Sequence, residues 1–359
     1  MLYNIQFLRF VAAMLVVLYH TAARVPATDS LFQGVFSLGS SVGFAGVDIF
    51  FVISGFIMAH TTHKHAGTTN SLDFARRRLA RIFSGYWPFF ILAMVIFVYL
   101  RPDHFAESSL LESFLLWPQP LNRNLLEITW TLSYELYFYL FFSLLILFFS
   151  DRARHISILL ITGILLVYNL YHHLIAHSFS PENFYHQPFW WKFLSSPFLL
   201  EFFAGALISF WVTRKPTGLA WSMLAVGTML FLAGGWINDS LYAGLIEQGF
   251  HVLPRVLVFG LPACLMVAGL VRIESLGIRA PARFSAVAGG SSYAIYLSHI
   301  LILTLVWNTG FNELVSSWPA GSMLGAYLML MLFIAGYSAL HYSFLEKPLH
   351  RQFKRLLRV

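Results

Sequence analysis

The stretch RFVAAMLVVLYH, residues 9–20, places ten residues that a lipid bilayer readily accepts between an arginine and a histidine. It lies within an apolar run over residues 5–22, which is long enough to cross hydrocarbon as an α-helix. Arg9 and His20 are eleven positions apart, which at about 100° per residue is within about 20° of three full turns. The stretch therefore predicts a membrane helix with both ionisable side chains on one face, about 16 Å apart along the axis.

Apolar runs of this kind recur along the whole chain of 359 residues, of which 58% are hydrophobic and only 11% charged. A soluble protein of this length needs more polar surface. The fold class predicted is therefore all-α, a polytopic membrane protein with about ten transmembrane helices. No polar tract between the runs is long enough for an extra soluble domain, so we expect residues 1–359 to form a single membrane domain. The candidate spans are residues 5–22, 38–59, 82–100, 128–149, 156–174, 196–212, 219–237, 252–271, 288–308 and 322–343.

The net charge of +7 follows the topology that these spans imply. If the N-terminus is cytoplasmic, seventeen of the 23 lysines and arginines fall in the inner loops and the C-terminal tail, among them Lys64, Arg214 and Lys215. This asymmetry predicts that both termini are cytoplasmic, and it explains the basic charge without a nucleic-acid partner. The single cysteine, Cys264, provides neither a disulfide framework nor a cysteine metal site.

Few ionisable residues interrupt the spans, and each is a candidate for function because a charge at the centre of a membrane helix costs roughly 2.5–3.5 kcal/mol on insertion scales. Structural alternatives exist for most of them. An arginine at a helix end can anchor to the headgroups, and a histidine there can be interfacial or a satisfied buried side chain. The candidates are Arg9, His20, Asp48, Glu135 and His299, with Glu201 near the start of its span.

Two carboxylates stand well inside the predicted spans. Asp48, in GVDIFFVISGF, must pair, accept hydrogen bonds or be protonated, and Gly55 in the same span permits a kink or close helix packing. Glu135 lies about two turns into the fourth span, in WTLSYELYF. Its neighbours Trp130 and Tyr134 are typical of an interfacial aromatic belt, whereas a carboxylate is not.

Two further patterns carry polar groups at helical spacing. In GGSSYAIYLSHI, Ser292, Tyr296 and His299 recur at i, i+4 and i+7, so they share a face and could form a hydrogen-bonded strip. In DFARRRLARIF, Arg78 and Arg81 are one turn apart. Guanidinium pairs suit polyphosphate recognition, although inner-loop arginines are also what topology alone would place there.

In this order, the fragments resemble the acyltransferase 3 family of membrane O-acyltransferases, most closely the bacterial enzymes that O-acetylate exopolysaccharides or lipopolysaccharide O-antigens. The resemblance covers essentially the whole chain. Its elements are the arginine and histidine of residues 9–20, GVDIFFVISGF at 46–56, RRLARI at 77–82, WTLSYE at 130–135, SYAIYLSH at 292–299 and EKP at 346–348. Two departures are the absence of the periplasmic hydrolase-like domain of some members and a proline displaced to Pro88.

The resemblance implies transfer of an acyl group, by default acetyl, from cytoplasmic acyl-CoA to a hydroxyl of a polysaccharide or lipid-linked glycan at the bacterial inner membrane, with no metal. It implies that His20 is the essential histidine, with Arg9 its partner, and that Arg78 and Arg81 are the donor-associated arginines. We add Arg77 to the predicted donor site. The predicted acceptor site consists of His299, Tyr296, Tyr134 and Trp130.

The mechanism that we predict on this basis uses His20 as the general base that deprotonates the acceptor hydroxyl. Asp48 or Glu135 would orient the imidazole. His299 and Tyr296 would bind the acceptor or stabilise the oxyanion, and a covalent acyl-histidine is the second mechanism. The alternative class is a proton-coupled transporter that exports a glycan precursor, in which the buried acids and histidines form a proton relay.

Overall fold

The computed structural model describes residues 2–26, 33–63, 65–212 and 219–358, and within these ranges the regular structure is helical throughout. Lys64, Arg214 and Lys215 of the predicted inner loops lie outside the described residues. Ten helical segments in the described part are long and apolar enough to cross a membrane, which confirms the predicted number of spans. They are Tyr3–Ala22, Gln33–Thr61, Thr68–Leu100, Glu127–Phe148, Asp151–Leu174, Phe189–Trp211, Ala220–Tyr242, Val252–Ser275, Ala282–Trp307 and Ala320–Leu356.

We number the α-helices in chain order. They are α1 (Tyr3–Ala22), α2 (Gln33–Val42), α3 (Gly46–Thr61), α4 (Thr68–Leu100), α5 (Pro102–Glu107), α6 (Leu110–Leu115), α7 (Trp130–Phe148), α8 (Asp151–Leu174), α9 (Pro181–Phe184), α10 (Phe189–Leu194), α11 (Phe198–Val212), α12 (Ala220–Tyr242), α13 (Val252–Arg255), α14 (Leu261–Ser275), α15 (Ala282–Trp307), α16 (Phe311–Ser316), α17 (Ala320–His341) and α18 (Lys347–Leu356). Two π-helical segments, Val256–Gly260 and Tyr342–Glu346, lead into α14 and α18.

Two helices extend well beyond the apolar runs that predicted them. The segment ahead of the third span is rich in Ala, Leu and Arg, which are strong helix formers, so α4 begins at Thr68 and the arginine cluster lies inside it. After α17, the π-helical segment and α18 continue the helical path to Leu356. Apolar length predicts only the part of a helix that hydrocarbon can cover, which is why both extensions were missed.

The chain divides into two compact units, each assembled from separated segments. The first unit contains Met1–Arg9, Ala45–Ala75 and Tyr137–Ser285, and the second contains Phe10–Phe44, Arg76–Leu136 and Ala286–Val359.

In the first unit, α3 and α11 pack with their backbones almost in contact. A Cβ atom at Gly55 would lie 1.8 Å from the Phe202 carbonyl oxygen, and one at Gly205 would lie 2.0 Å from the Val52 carbonyl oxygen. Only glycine permits this approach, the usual device for close helix packing in membranes. The close packing that Gly55 predicted is confirmed.

Side chains of the first unit also satisfy backbone groups at helix ends. The Glu274 carboxylate accepts hydrogen bonds from the backbone N–H groups of Tyr3 (2.8 Å) and Asn4 (2.9 Å) at the start of α1. The fully buried Arg154 donates to the carbonyl oxygens of Thr62 (3.0 Å) and His65 (2.8 Å). Free N–H groups at a helix start favour a carboxylate, and carbonyls beyond a helix end favour a cation.

In the second unit, α1 and Gly43, the residue that follows α2, make a similar close approach near His20. A Cβ atom at Gly43 would lie 2.5 Å from the Leu15 carbonyl oxygen and 2.8 Å from the Tyr19 Cβ. The Tyr19 ring in turn packs edge-on against the His20 ring, with centroids 4.9 Å apart. Because these contacts leave no room between the two segments, the last turn of α1 has little freedom to shift.

Candidate active site

The second unit brings together two histidines from opposite ends of the chain. His20 on α1 and His299 on α15 have ring centroids 5.0 Å apart. His20 is partly buried and His299 is fully buried. His20 Nδ1 lies 3.0 Å from the Val16 carbonyl oxygen and His299 Nδ1 lies 3.2 Å from the Ile295 carbonyl oxygen. Each imidazole is thus tied to its own helix one turn back.

These hydrogen bonds fix the chemistry of both neutral rings. A carbonyl oxygen only accepts, so Nδ1 of each histidine carries the proton and donates it. The other nitrogen, Nε2, then carries the lone pair and is the basic atom. Nε2 of His299 is buried with no hydrogen-bond partner among the described residues. Each imidazole therefore keeps a lone pair on Nε2, and the two rings lie side by side.

Tyr296 connects this histidine pair to the start of α7. Its hydroxyl donates to the Ile128 carbonyl oxygen (2.9 Å) and accepts from the Thr131 hydroxyl (2.9 Å). The rings of Tyr296 and His299 have centroids 5.9 Å apart. Because Tyr296 and Thr131 are both buried, these bonds are shielded from water and hold α15 in register with α7.

Thr131 belongs to the WTLSYE motif and shows which side of that motif faces α15. Glu135 is four residues further along α7, so it follows Thr131 on the same face of the helix. Glu135 is half-buried. Trp130 and Tyr134 form the adjacent stripe, with ring centroids 5.9 Å apart, and are also half-buried.

The predicted strip along α15 does not form as one hydrogen-bonded chain. The Ser292 hydroxyl donates to the Gly289 carbonyl oxygen at 2.8 Å, so its single proton is not available to Tyr296. A serine inside a helix commonly bonds to a preceding carbonyl in this way. Of the three residues, Tyr296 and His299 contact each other, whereas the Ser292 hydroxyl bonds within its own helix.

On α4, Arg81 is held in a fixed position by residues of the same unit. Its guanidinium forms an ion pair with the fully buried Glu346 carboxylate and lies 5.5 Å from the centroid of the Tyr293 ring. The Tyr293 hydroxyl donates to the Ile82 carbonyl oxygen at 3.1 Å. Along the same helix Arg78 is half-buried and Arg77 is exposed, so Arg78 and Arg81 share the less exposed side.

Asp48 and Arg9 belong to the first unit, and Asp48 is the more deeply buried of the two. Its carboxylate is fully buried and accepts hydrogen bonds from Arg255 Nε (3.0 Å) and Nη2 (2.7 Å). The Arg255 guanidinium lies 5.1 Å from the centroid of the Phe198 ring. Asp48 is thus paired, as the cost of an unpaired carboxylate requires. Arg9 is half-buried and donates to the Gln6 side-chain oxygen at 3.3 Å.

Sequence reasoning did not identify two charged residues that the structure places in these surroundings. In sequence Arg255 only precedes an apolar run, but in the structure it is 5% exposed and pairs with Asp48. Glu127, in the turn that precedes α7, lies 3.8 Å from Arg101 and interacts electrostatically with His20. The sequence feature that could have indicated Arg255 is that an apolar run follows it directly, in PRVLVFG.

No group of three or more His, Cys, Asp or Glu side chains within the described ranges is arranged to hold a metal ion. The side chains at and beside the histidine pair carry imidazole and phenol groups. These groups suit proton transfer to or from a hydroxyl.

Comparison with known protein families shows which family this chain belongs to. The model of acyltransferase family 3, described as an acyltransferase domain, matches residues 2–342. The chain belongs to the acyltransferase 3 family. The resemblance in the sequence fragments is confirmed, and the protein is a multi-pass membrane acyltransferase.

Two curated relatives resemble this acyltransferase over different lengths. The exopolysaccharide production protein ExoZ of Rhizobium meliloti is 27% identical over 327 residues, covering 87% of this chain and 91% of the relative. An uncharacterized protein of Haemophilus influenzae is 29% identical over 163 residues, covering 40% of this chain and 65% of the relative. No solved structure matches the acyltransferase significantly.

Proposed function

We propose that this acyltransferase moves an acetyl group from cytoplasmic acetyl-CoA to a hydroxyl of an exopolysaccharide, or of its lipid-linked precursor, at the bacterial inner membrane. The observation that carries the proposal is the pair of imidazoles, His20 and His299, whose rings lie 5.0 Å apart and whose Nδ1 hydrogen bonds leave the lone pair on Nε2. The similarity to an exopolysaccharide production protein supports the class of acceptor. The charge asymmetry of the loops supports cytoplasmic termini.

The chemical step follows from the tautomer of His20. Its Nε2 lone pair takes the proton of the acceptor hydroxyl as the oxygen attacks the thioester carbonyl. The carbon–sulfur bond then breaks, and the CoA thiolate leaves with the proton that the imidazolium returns. The bond from Nδ1 to the Val16 carbonyl keeps the ring oriented throughout. No proton is gained or lost overall.

The other polar residues have supporting roles in this proposal. His299 Nε2 is a hydrogen-bond acceptor in its tautomer, so it binds a neighbouring hydroxyl of the acceptor sugar and does not donate to the oxyanion. Tyr296 positions His299, and Trp130 and Tyr134 contact the sugar. Glu135 is the carboxylate that stabilises the imidazolium. Asp48, whose oxygens already bind Arg255, holds that arginine in place.

The donor must reach this chemistry without its phosphates entering hydrocarbon. The pyrophosphate and ribose phosphate of acetyl-CoA stay at the inner surface, where Arg78 and Arg81, with Arg77, bind them. The pantetheine arm is long and thin enough to carry the thioester toward His20. In the second mechanism, His20 Nε2 is itself acetylated, and label from radioactive acetyl-CoA stays on the protein when no acceptor is present.

A thermal-shift titration tests the donor assignment. A ligand that binds only the folded protein raises its melting temperature once its concentration exceeds the dissociation constant. Acetyl-CoA should stabilise the detergent-purified wild type, and the shift should be lost in Arg78→Ala and Arg81→Ala. Arg76→Ala, an exposed neighbour on the same helix, is the matched control and should keep it.

If folded wild type shows no shift with acetyl-CoA or with other acyl-CoAs, the donor assignment is wrong. The melting temperatures of the variants without ligand show whether each remains folded.

A further inference from the structure

A cavity of about 320 Å³ lies where α4 meets the C-terminal helix of the second unit. Its lining consists mainly of basic side chains, and two of these, His350 and Arg351, come from outside the motifs that the family resemblance rests on. The lining residues are Arg81, Tyr342, Lys347, His350 and Arg351. An open cavity with this lining is suited to a multiply charged anion.

Three of the lining residues share one face of α18. Lys347, His350 and Arg351 stand at i, i+3 and i+4, which places them side by side on a helix. Lys354 and Arg355 are on the same helix but do not line the cavity. Only some of the basic residues of α18 therefore line the cavity, and their positions on the helix decide which.

Contacts with α4 hold this face of α18 in place. His350 Nδ1 lies 3.4 Å from the Ser84 hydroxyl, and the Phe353 ring packs edge-on against Trp87 with centroids 5.5 Å apart. The Lys347 ammonium lies 4.6 Å from the centroid of the Tyr342 ring. A C-terminal tail that served only as a topology signal would not need such contacts.

Arg81 is preorganised on the opposite wall. The buried Glu346 carboxylate forms an ion pair with the Arg81 guanidinium, and the Tyr293 ring lies beside that guanidinium. Gly85 makes room for that ring, because a Cβ atom there would lie 2.5 Å from it. A guanidinium held on two sides loses little entropy when it binds a phosphate.

The charge of the site matches one particular kind of phosphate. Arg81, Lys347 and Arg351 are positive and Glu346 is negative, so with His350 neutral the site carries a net charge of about +2. A phosphomonoester carries about −1.5 to −2 near neutral pH. Acetyl-CoA has one phosphomonoester, on its ribose, besides its pyrophosphate.

We infer that Lys347, His350 and Arg351 form, with Arg81, the site that binds the ribose phosphomonoester of the donor. The inference rests on the proposed function and adds to the predicted donor arginines a second set of cations from the C-terminal helix. Glu346 is a positioning residue, which orients Arg81 without touching the donor. A lipid headgroup offers similar phosphate chemistry, so the test includes an arm for it.

The test compares acetyl-CoA with acetyl-dephospho-CoA, which lacks only the ribose phosphate. Binding is measured by calorimetry on the full-length protein in nanodiscs of phosphatidylcholine alone. We expect wild type to bind acetyl-CoA at least about tenfold more tightly. The Lys347→Ala/Arg351→Ala double variant should lose that preference and bind both donors as wild type binds the dephospho form. The Lys354→Ala/Arg355→Ala variant is matched in charge and helix and should keep the preference.

The outcomes separate this inference from the proposed function. Equal binding of the two donors by wild type overturns the phosphate site and leaves the donor assignment intact. Binding of neither donor overturns both. The lipid arm repeats the titration in nanodiscs containing phosphatidylglycerol. If the double variant differs from wild type only there, and equally for both donors, the cavity binds a lipid headgroup and the inference is wrong.

Discussion

The imidazole rings of His20 and His299 lie 5.0 Å apart, although the two residues come from the first and the ninth of the ten apolar spans. Each ring donates from Nδ1 to a carbonyl of its own helix. The pair therefore presents two basic Nε2 atoms, and the proposed roles differ: His20 accepts a proton, and His299 accepts a hydrogen bond from the sugar.

Replacing His299 by phenylalanine tests the second role. The His299→Phe variant keeps the ring volume in a fully buried site but cannot accept a hydrogen bond. We expect the KM for the polysaccharide acceptor to rise about tenfold, the loss of one hydrogen bond, while acetyl-CoA binding is unchanged. Transfer of radiolabelled acetyl to unacetylated polysaccharide gives the acceptor KM, and the thermal-shift titration gives acetyl-CoA binding. His60→Phe, at an exposed position on α3, is the matched control, and an unchanged acceptor KM in His299→Phe would contradict the role.

Tyr296→Phe removes the hydroxyl that joins α15 to the start of α7. The carbonyl of Ile128 then loses a buried donor, and we expect a loss of stability of about 1 kcal/mol with a fall in transfer rate, because His299 is no longer held in register. Chemical unfolding in detergent and the transfer assay measure the two effects. Thr131→Val removes the second bond to the same hydroxyl and the bond from Thr131 to the Ile128 carbonyl, but it keeps the Tyr296 hydroxyl and should have a smaller effect on both. Full activity in Tyr296→Phe would show that this connection has no role in catalysis.

Breaking the Asp48–Arg255 pair should destabilise the first unit. Removing one partner of a buried pair leaves an uncompensated charge and typically costs about 3–5 kcal/mol. We therefore expect Asp48→Asn to lower the melting temperature sharply and to reduce transfer with it. The double variant Asp48→Asn/Arg255→Met should recover much of both. If stability recovers while transfer does not, Asp48 acts in the chemistry and not through Arg255.

Alanine should have opposite effects at a glycine in the close contact of α3 and α11 and at a glycine with open space around it. In Gly55→Ala the new methyl group meets the Phe202 carbonyl, and we expect a substantial loss of thermal stability. Gly163 on α8 has no atom within 4 Å of a Cβ position. Gly163→Ala should therefore be neutral or stabilise the protein by up to about 1 kcal/mol. A tolerated Gly55→Ala would show that the two helices are less tightly packed than described.

The sequence could predict the spans because a helix that crosses hydrocarbon must be an apolar run. The positions of His20, Tyr296 and His299 within those runs were enough to place them on their helices. The sequence could not predict that His20 and His299 meet, since the contact depends on how α1 packs in the second unit. Asp48 was expected to need a partner, but Arg255 resembles any interfacial cation in sequence. In the same way, the arginine and lysine of α18 that line the cavity cannot be told from their neighbours by the positive-inside pattern.

The most direct test of the central claim is acetate released by mild base from the cell-surface polysaccharide of the native host, with the chromosomal copy replaced by His20→Gln. We expect this acetate to fall at least about 100-fold, the usual range for loss of a general base, while the purified variant stays folded and still binds acetyl-CoA. Wild-type acetate in cells that carry folded His20→Gln would contradict the assignment of His20 as the base.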